Sequence, residues 1–243
     1  MPSPLLENLL DWVVPDRDQC RKAAEELVAR NPGLSPEQLA RHAVSSAQGW
    51  AASAGAATGV VANPLIALPA AAADMAAVLR IEGTMAGTIA ALIDPASLDH
   101  PNTFPADVLA IVFPGAVSQA LRQIGVRWGQ KISQELIRRY VSEGLMKSVT
   151  RLASRYLFVH VTEKAIVSKT VPLIGAGIGA GWNWLEVKAV GNRAIHYYQH
   201  KNIRPGGRGG VRRSPLGRIK SVASKVVRRK RDEDGPKKLS FEP

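Results

Sequence analysis

The sequence is poor in sulfur and in rings. A single cysteine, Cys20, excludes a disulfide framework, a cysteine-rich zinc site and a CxxC redox pair. Aromatic residues make up only 5% of the 243 positions, while alanine and glycine abound. A β-sandwich draws on β-branched and aromatic residues, so this composition points to close-packed helices. Hydrophobic residues still reach 46%, which supports a core and excludes a chain disordered throughout. The GxSxG elbow, the P-loop and the kinase motif set are also missing. The first apolar stretch, Leu5 to Val14, contains Glu7 and Asp11 and follows no basic residue, unlike a secretion signal. A cytoplasmic protein is therefore expected.

Acidic charge is scarce at one end. The formal net charge is +12. Residues 201–243 hold 14 Lys/Arg against 4 Asp/Glu, a net +10, which leaves 18 against 16, a net +2, for residues 1–200. Such a run attracts phosphate, from lipid headgroups or from nucleic acid. Its members include Arg212, Arg213, Arg218, Lys220 and Lys225, then the cluster Arg228, Arg229, Lys230 and Arg231. Within it, Leu216, Ile219, Val222, Ala223, Val226 and Val227 fall on one arc at helical spacing, with basic residues opposite. Residues 216–229 thus outline a basic amphipathic helix able to lie on an anionic membrane surface. Arg208 within Gly206–Gly210 resembles an RGG-type RNA-binding element.

Helical signals fill residues 1–200. Ser3 and Pro4 suit a helix start, and Leu5, Leu6, Leu9, Leu10 and Val13 share a face. A second helix is predicted from Asp16 to Arg30, stopped by Asn31-Pro32-Gly33. Ser35, Pro36 and Gln38 form a capping box for the next. From Ala43 to Ala73 there is no Lys, Arg, Asp or Glu. Its strong hydrophobes after Trp50 (Val60, Val61, Leu65, Ile66 and Leu68) supply only about 2 kcal/mol of insertion energy. A buried helix pair turning at Asn63-Pro64 is therefore preferred to a bilayer span. Residues 94–107, with Pro95, Pro101, Pro105 and three aspartates, are expected to form a loop. The charge-free run Val108 to Leu121 is expected to be one core helix. Arg122 to Lys169 carries 10 basic and 3 acidic residues, giving the domain a basic side. A long helix is expected over 171–200.

Glycines recur four apart: Gly55 with Gly59, Gly83 with Gly87, Gly175 with Gly179, and Gly177 with Gly181. In a helix this spacing places them near one face, where missing side chains let backbones approach. Each interior glycine costs a helix about 1 kcal/mol relative to alanine, which argues for a glycine-zipper packing role.

Few residues suggest chemistry. Asp74 and Glu82 are acids embedded in apolar helix, a candidate acid/base pair or a structural pair satisfied by the nearby Arg80. Gly175 to Ala180 fits GxGxxG/A, but no acid follows between Val187 and Arg231 and no further βαβ unit is present. His196 and His200 have metal-ligand spacing without an HExxH glutamate, so a surface or structural pair is expected. No metal and no cofactor is expected.

Two stretches together carry a resemblance. One is VPLIGAGIGAGWNWLEVKAVGNRAIHYY, residues 171–198; the other is NPGLSPEQLARHAV with AASAGAATGVVANPLIALPAAAADMAAVLRIEG, within residues 31–83. They resemble the EcsC protein family. Pro172, Gly175, Gly179, Asn183, Ala194 and His196 occupy places that recur near the C-terminal end of that family, and Asp74 matches an aspartate of its N-terminal half. Leu92-Ile93-Asp94 stands where a Tyr-Gly pair is common. The resemblance covers about residues 30–200. It implies an α-helical, small-residue domain with a possible membrane association and an ABC transporter as a partner; it implies no catalytic residue.

The sequence thus predicts an all-α domain over residues 1–200 followed by a disordered basic tail over 201–243. The expected function is non-enzymatic, peripheral binding to anionic lipid at the inner face of the membrane. A nucleic-acid-binding module using the same tail is the first alternative, and an enzyme built on Asp74 and Glu82 the second. Whether the Gly/Ala helices enter lipid, enclose a ligand or only pack together stays open at this level.

Overall fold

The computed structural model describes residues 9–59, 64–126, 132–133, 137, 139–168, 172–200 and 202–203, all within the first of two compact units, Met1–Gly210 and Val211–Pro243. The described part is all-α. Its helices are α1 (Leu9–Val13), α2 (Arg17–Arg30), α3 (Pro36–Gly59), α4 (Pro64–Ile93), a 3-10 helix (Pro95–Asp99), α5 (Phe104–Val112), α6 (Pro114–Gln123), α7 (Glu143–Ser168) and α8 (Pro172–His200). The strand pairing among the described residues joins β1 (Ile132–Ser133) to β2 (Asn202–Ile203), antiparallel over two residues each.

Local chemistry sets the helix ends. Asp16 caps α2 by accepting from the Gln19 amide at 2.9 Å. At the other end the Asn31 side chain donates to Leu27 O at 3.0 Å, and Gly33 turns the chain at φ +91°. The α3 capping box is closed both ways: the Ser35 amide donates to Gln38 Oε1 at 2.8 Å and the Gln38 amide to Ser35 Oγ at 3.3 Å. Of the expected N-terminal helix, α1 is described; its proposed cap Ser3 lies outside the described residues.

Two expectations are corrected. The stretch 94–107 is not a plain loop: it holds the 3-10 helix and the start of α5. The run Val108 to Leu121 is not one helix but parts of two, bent by 115° between α5 and α6. Pro114 supplies the reason. Its ring disfavours helical backbone at Phe113 and it has no amide to donate.

Helices α3, α4 and α8 form the centre of the described fold, and α1, α2 and α5 pack on α4 while α6 packs on α7. Two layers fix their directions. Val44 of α3, Met85 of α4 and Gly191 of α8 meet in one; Ala51, Asp74 and Asn183 meet in the other. Moving from the first layer to the second, numbering rises in α3 and falls in α4 and α8. So α3 runs antiparallel to the other two. The same step leads toward the C-terminal end of α3 and the N-terminal ends of α4 and α8.

Glycine explains the closest approaches. A Cβ at Gly83 would fall onto the Val13 carbonyl, and one at Gly87 would lie 2.9 Å from Pro15 Cγ and 3.3 Å from Phe104 Cζ. Both residues are buried, so this pair does let α1 and the start of α2 sit against α4. Gly55 is buried as well. Gly177 and Gly181 are a correction: both are exposed, and a Cβ at either would meet nothing within 4 Å. Four-residue spacing marks a common face, and on α8 that face points away from the described neighbours. The surroundings of Gly59, Gly175 and Gly179 lie outside the described residues.

Candidate functional site

Buried polar groups are few in this interior. They gather where α8 crosses α4 and α5. In the second layer Asn183 Nδ2 donates to Ala51 O at 3.0 Å and to Asp74 Oδ1 at 3.1 Å, with Oδ2 at 3.4 Å. One amide thereby links three helices. Both side chains are buried, and a polar group removed from water must find such a partner. Gln48 adds a second tie from α3, donating to Trp184 O at 3.4 Å.

Two turns along α4, Glu82 is buried and its Oε1 has no hydrogen-bond partner. Burial, reinforced by the Glu186 carboxylate, raises its pKa well above the ordinary range, while the Arg193 guanidinium acts in the other direction. Burial and the neighbouring carboxylate both favour the neutral form of the Glu82 carboxyl. Arg193 reaches across to α5, where Nη1 donates to Ile111 O at 2.8 Å.

At the far end of α8, Tyr197 Oη donates to Asp107 Oδ1 at 2.6 Å, both side chains buried. Tyr198 lies beside it with its Oη lacking a hydrogen-bond partner. Burial first, and then Asp107, Cys20 and Asp94, push its pKa well above the ordinary phenol range. The Cys20 thiol is pushed up to about 12, mainly by burial, which makes it an inert core group rather than a nucleophile.

The structure places each expected polar residue. Asp74 and Asn183 come together. Asp74 and Glu82 do not form a pair: the acid beside Glu82 is Glu186, and Asp74 is held by Asn183. Arg80 satisfies neither, for it is exposed. At 100° per residue it stands roughly 120° from Asp74 and 160° from Glu82 around the helix. His196 is exposed, its ring 4.6 Å from that of His200 in an edge contact. Among the described residues no group of three or more His, Cys, Asp and Glu is placed to hold a metal. The GxGxxG-like glycines lie inside α8, not in a strand-to-helix turn. A cavity of about 10 Å³, room for about one water, lies between Leu109, Val117, Ile137, Leu145 and Val149, apart from all these acids.

Other residues stand out only in the folded chain. Asp107 is an acid inside the apolar helix FPADVLAIV, the same signal that drew attention to Asp74. Gly191 is off the four-residue pattern, yet a Cβ there would lie 2.8 Å from Val44 Cγ1 and 3.2 Å from Met85 Sδ. Trp50 and Trp184 are 70% and 38% exposed, although large apolar rings are ordinarily core residues.

The basic tail residues Arg212, Arg213, Arg218, Lys220, Lys225, Arg228, Arg229, Lys230 and Arg231, and the proposed helix 216–229, lie outside the described residues. The basic side of the domain is visible on α7, where Lys147, Arg151 and Arg155 are exposed at four-residue spacing, Lys147 pairing with Glu143 at 2.5 Å. The stretch Ala72–Ile93 is long and apolar enough to cross a membrane, but 56% of its apolar part is buried within the protein, as in a core helix. No family model, curated protein or solved structure matches the chain.

Proposed function

We propose that this is a non-enzymatic, EcsC-like protein that binds anionic lipid peripherally at the inner face of the membrane. The observation that carries the reading is the charge division, net +10 in residues 201–243 against +2 in the rest. Each basic residue near an anionic surface adds about 1 kcal/mol, and an apolar contact beside a polybasic segment turns marginal attachment into stable attachment. The Lys147, Arg151 and Arg155 stripe of α7 adds cations of the folded domain to those of the tail. Asp74 and Asn183 then act as structural groups that tie three helices by hydrogen bonds, and Glu82 as a buried carboxyl whose surroundings favour its neutral form.

Vesicle sedimentation tests this. The full chain should bind vesicles containing phosphatidylglycerol at low salt and release as salt rises. Removing residues 201–243 should abolish most of that affinity and leave the weak binding to neutral vesicles unchanged. A full chain that ignores anionic vesicles at low salt yet binds RNA would refute the lipid reading and put the nucleic-acid module in its place.

A further inference from the structure

The two layers that fix the helix directions also define an end of the bundle. Beyond the layer of Ala51, Asp74 and Asn183 lie residues 52–59 of α3, 64–73 of α4 and 172–182 of α8. None of these carries a Lys, Arg, Asp or Glu, and neither does the connection 60–63. At 1.5 Å per residue the three segments extend roughly 12 to 16 Å past the layer. The hydrocarbon of one leaflet is about 15 Å deep. The fold thus gathers the ends of three helices, two of them adjacent in sequence and the third about a hundred positions further on, where these three carry no charge.

What stands at and behind the layer matches a lipid surface. Trp50 and Trp184 adjoin its members Ala51 and Asn183 and are exposed, as interfacial tryptophans are. Behind it the first exposed charges are the cations Arg80 on α4 and Lys188 on α8, with Lys188 Nζ 4.8 Å from the Trp184 ring, while the acid Glu186, nearer to Asn183, is half-buried and acts on Glu82. Arg80 and Lys188 lie six and five residues from Asp74 and Asn183, roughly 8–9 Å back along the axis, within reach of headgroup phosphates.

Resting on the lipid-binding reading above, we propose that the uncharged α3–α4 hairpin end inserts into one leaflet of an anionic membrane, with Trp50 and Trp184 at headgroup level and Arg80 and Lys188 on the phosphates. The hairpin is too poor in large hydrophobes to hold alone. The basic tail brings it to the surface, and the hairpin converts electrostatic contact into insertion.

The experiment uses the full chain with vesicles of phosphatidylcholine and phosphatidylglycerol, with and without acyl chains brominated near the headgroup. Tryptophan emission should be quenched by the brominated vesicles, and Trp50→Phe should remove part of that quenching. Ala57→Asp, at an exposed α3 position, should weaken binding about tenfold or more while helix content and oligomeric state stay as in the parent. Absence of quenching in the bound parent protein overturns insertion and leaves the tail reading standing; this measurement decides even if Ala57→Asp fails to fold. Unchanged vesicle affinity in a folded Ala57→Asp overturns it too, as does a change in oligomeric state without a change in vesicle affinity, which would assign the end to a second copy of the chain. No binding of the parent to anionic vesicles at low salt removes the lipid reading and the insertion with it.

Discussion

Alanine at Gly83 and alanine at Gly181 should move stability in opposite directions. Both glycines lie inside helices and belong to four-residue glycine pairs. At Gly83 the added methyl would overlap the Val13 carbonyl, a backbone atom that can yield only if α1 moves. Leu9 and Val13 are both 0% exposed, so moving α1 opens the site where its side chains are buried. Crowding of this kind costs about 1–3 kcal/mol, and uncovering Leu9 or Val13 adds about 1.5–3 kcal/mol for each side chain fully exposed. The gain in helix propensity returns about 1 kcal/mol. With one side chain uncovered a net loss of roughly 1.5–5 kcal/mol follows, and at about 2–4 °C per kcal/mol for a domain of this size the Tm should fall by several degrees. At Gly181 a Cβ meets nothing within 4 Å, so only the propensity gain of about 1 kcal/mol remains and the Tm should rise. Calorimetry of the two variants measures both signs, and hydrogen exchange should show α1 amides losing protection in Gly83→Ala alone. If Gly83→Ala melts at or above the parent temperature, the close approach of α1 and α4 is not what holds glycine there.

Glu82 makes stability pH-dependent. Its folded pKa is raised by burial, so the folded state holds the proton longer than the unfolded chain. Stability is then full below the unfolded pKa near 4.5 and falls as pH rises toward the folded value, by up to about 1.4 kcal/mol per pH unit. Denaturant titrations of Glu82→Gln should lack this component, and the variant should gain on the parent as pH increases; equal pH profiles would refute the neutral carboxyl. Asn183→Ala leaves Ala51 O and Asp74 without their Asn183 donor and should cost about 2–4 kcal/mol in urea unfolding; a loss below 1 kcal/mol would show that the three-helix tie matters little. Tyr197→Phe removes the buried hydrogen bond to Asp107 and should cost about 1.5–3 kcal/mol, whereas Tyr198→Phe, whose hydroxyl has no hydrogen-bond partner, should be neutral or stabilising by the same assay.

What the sequence determined by itself is the placing of helix ends and the distribution of charge. The Ser35/Gln38 box, the Asp16 cap, the stop at Asn31 to Gly33 and the start at Pro64 work within about four residues of chain, so their residues sufficed. The charge-free runs and the basic tail were equally plain, and they carry the lipid reading. The break at Pro114 was legible too, since proline restricts the residue before it, yet the charge-free run concealed it. Tertiary structure decided the partners. Asn183 lies 109 positions from Asp74, and the guanidinium near Glu82 is Arg193 of α8, not the neighbouring Arg80. It also decided which glycines are crowded, Gly83, Gly87 and Gly191, and which are open, Gly177 and Gly181. Spacing along a helix fixes only which residues share a face. What that face meets depends on the register and direction of neighbouring helices, and only these bring three distant uncharged segments to one end.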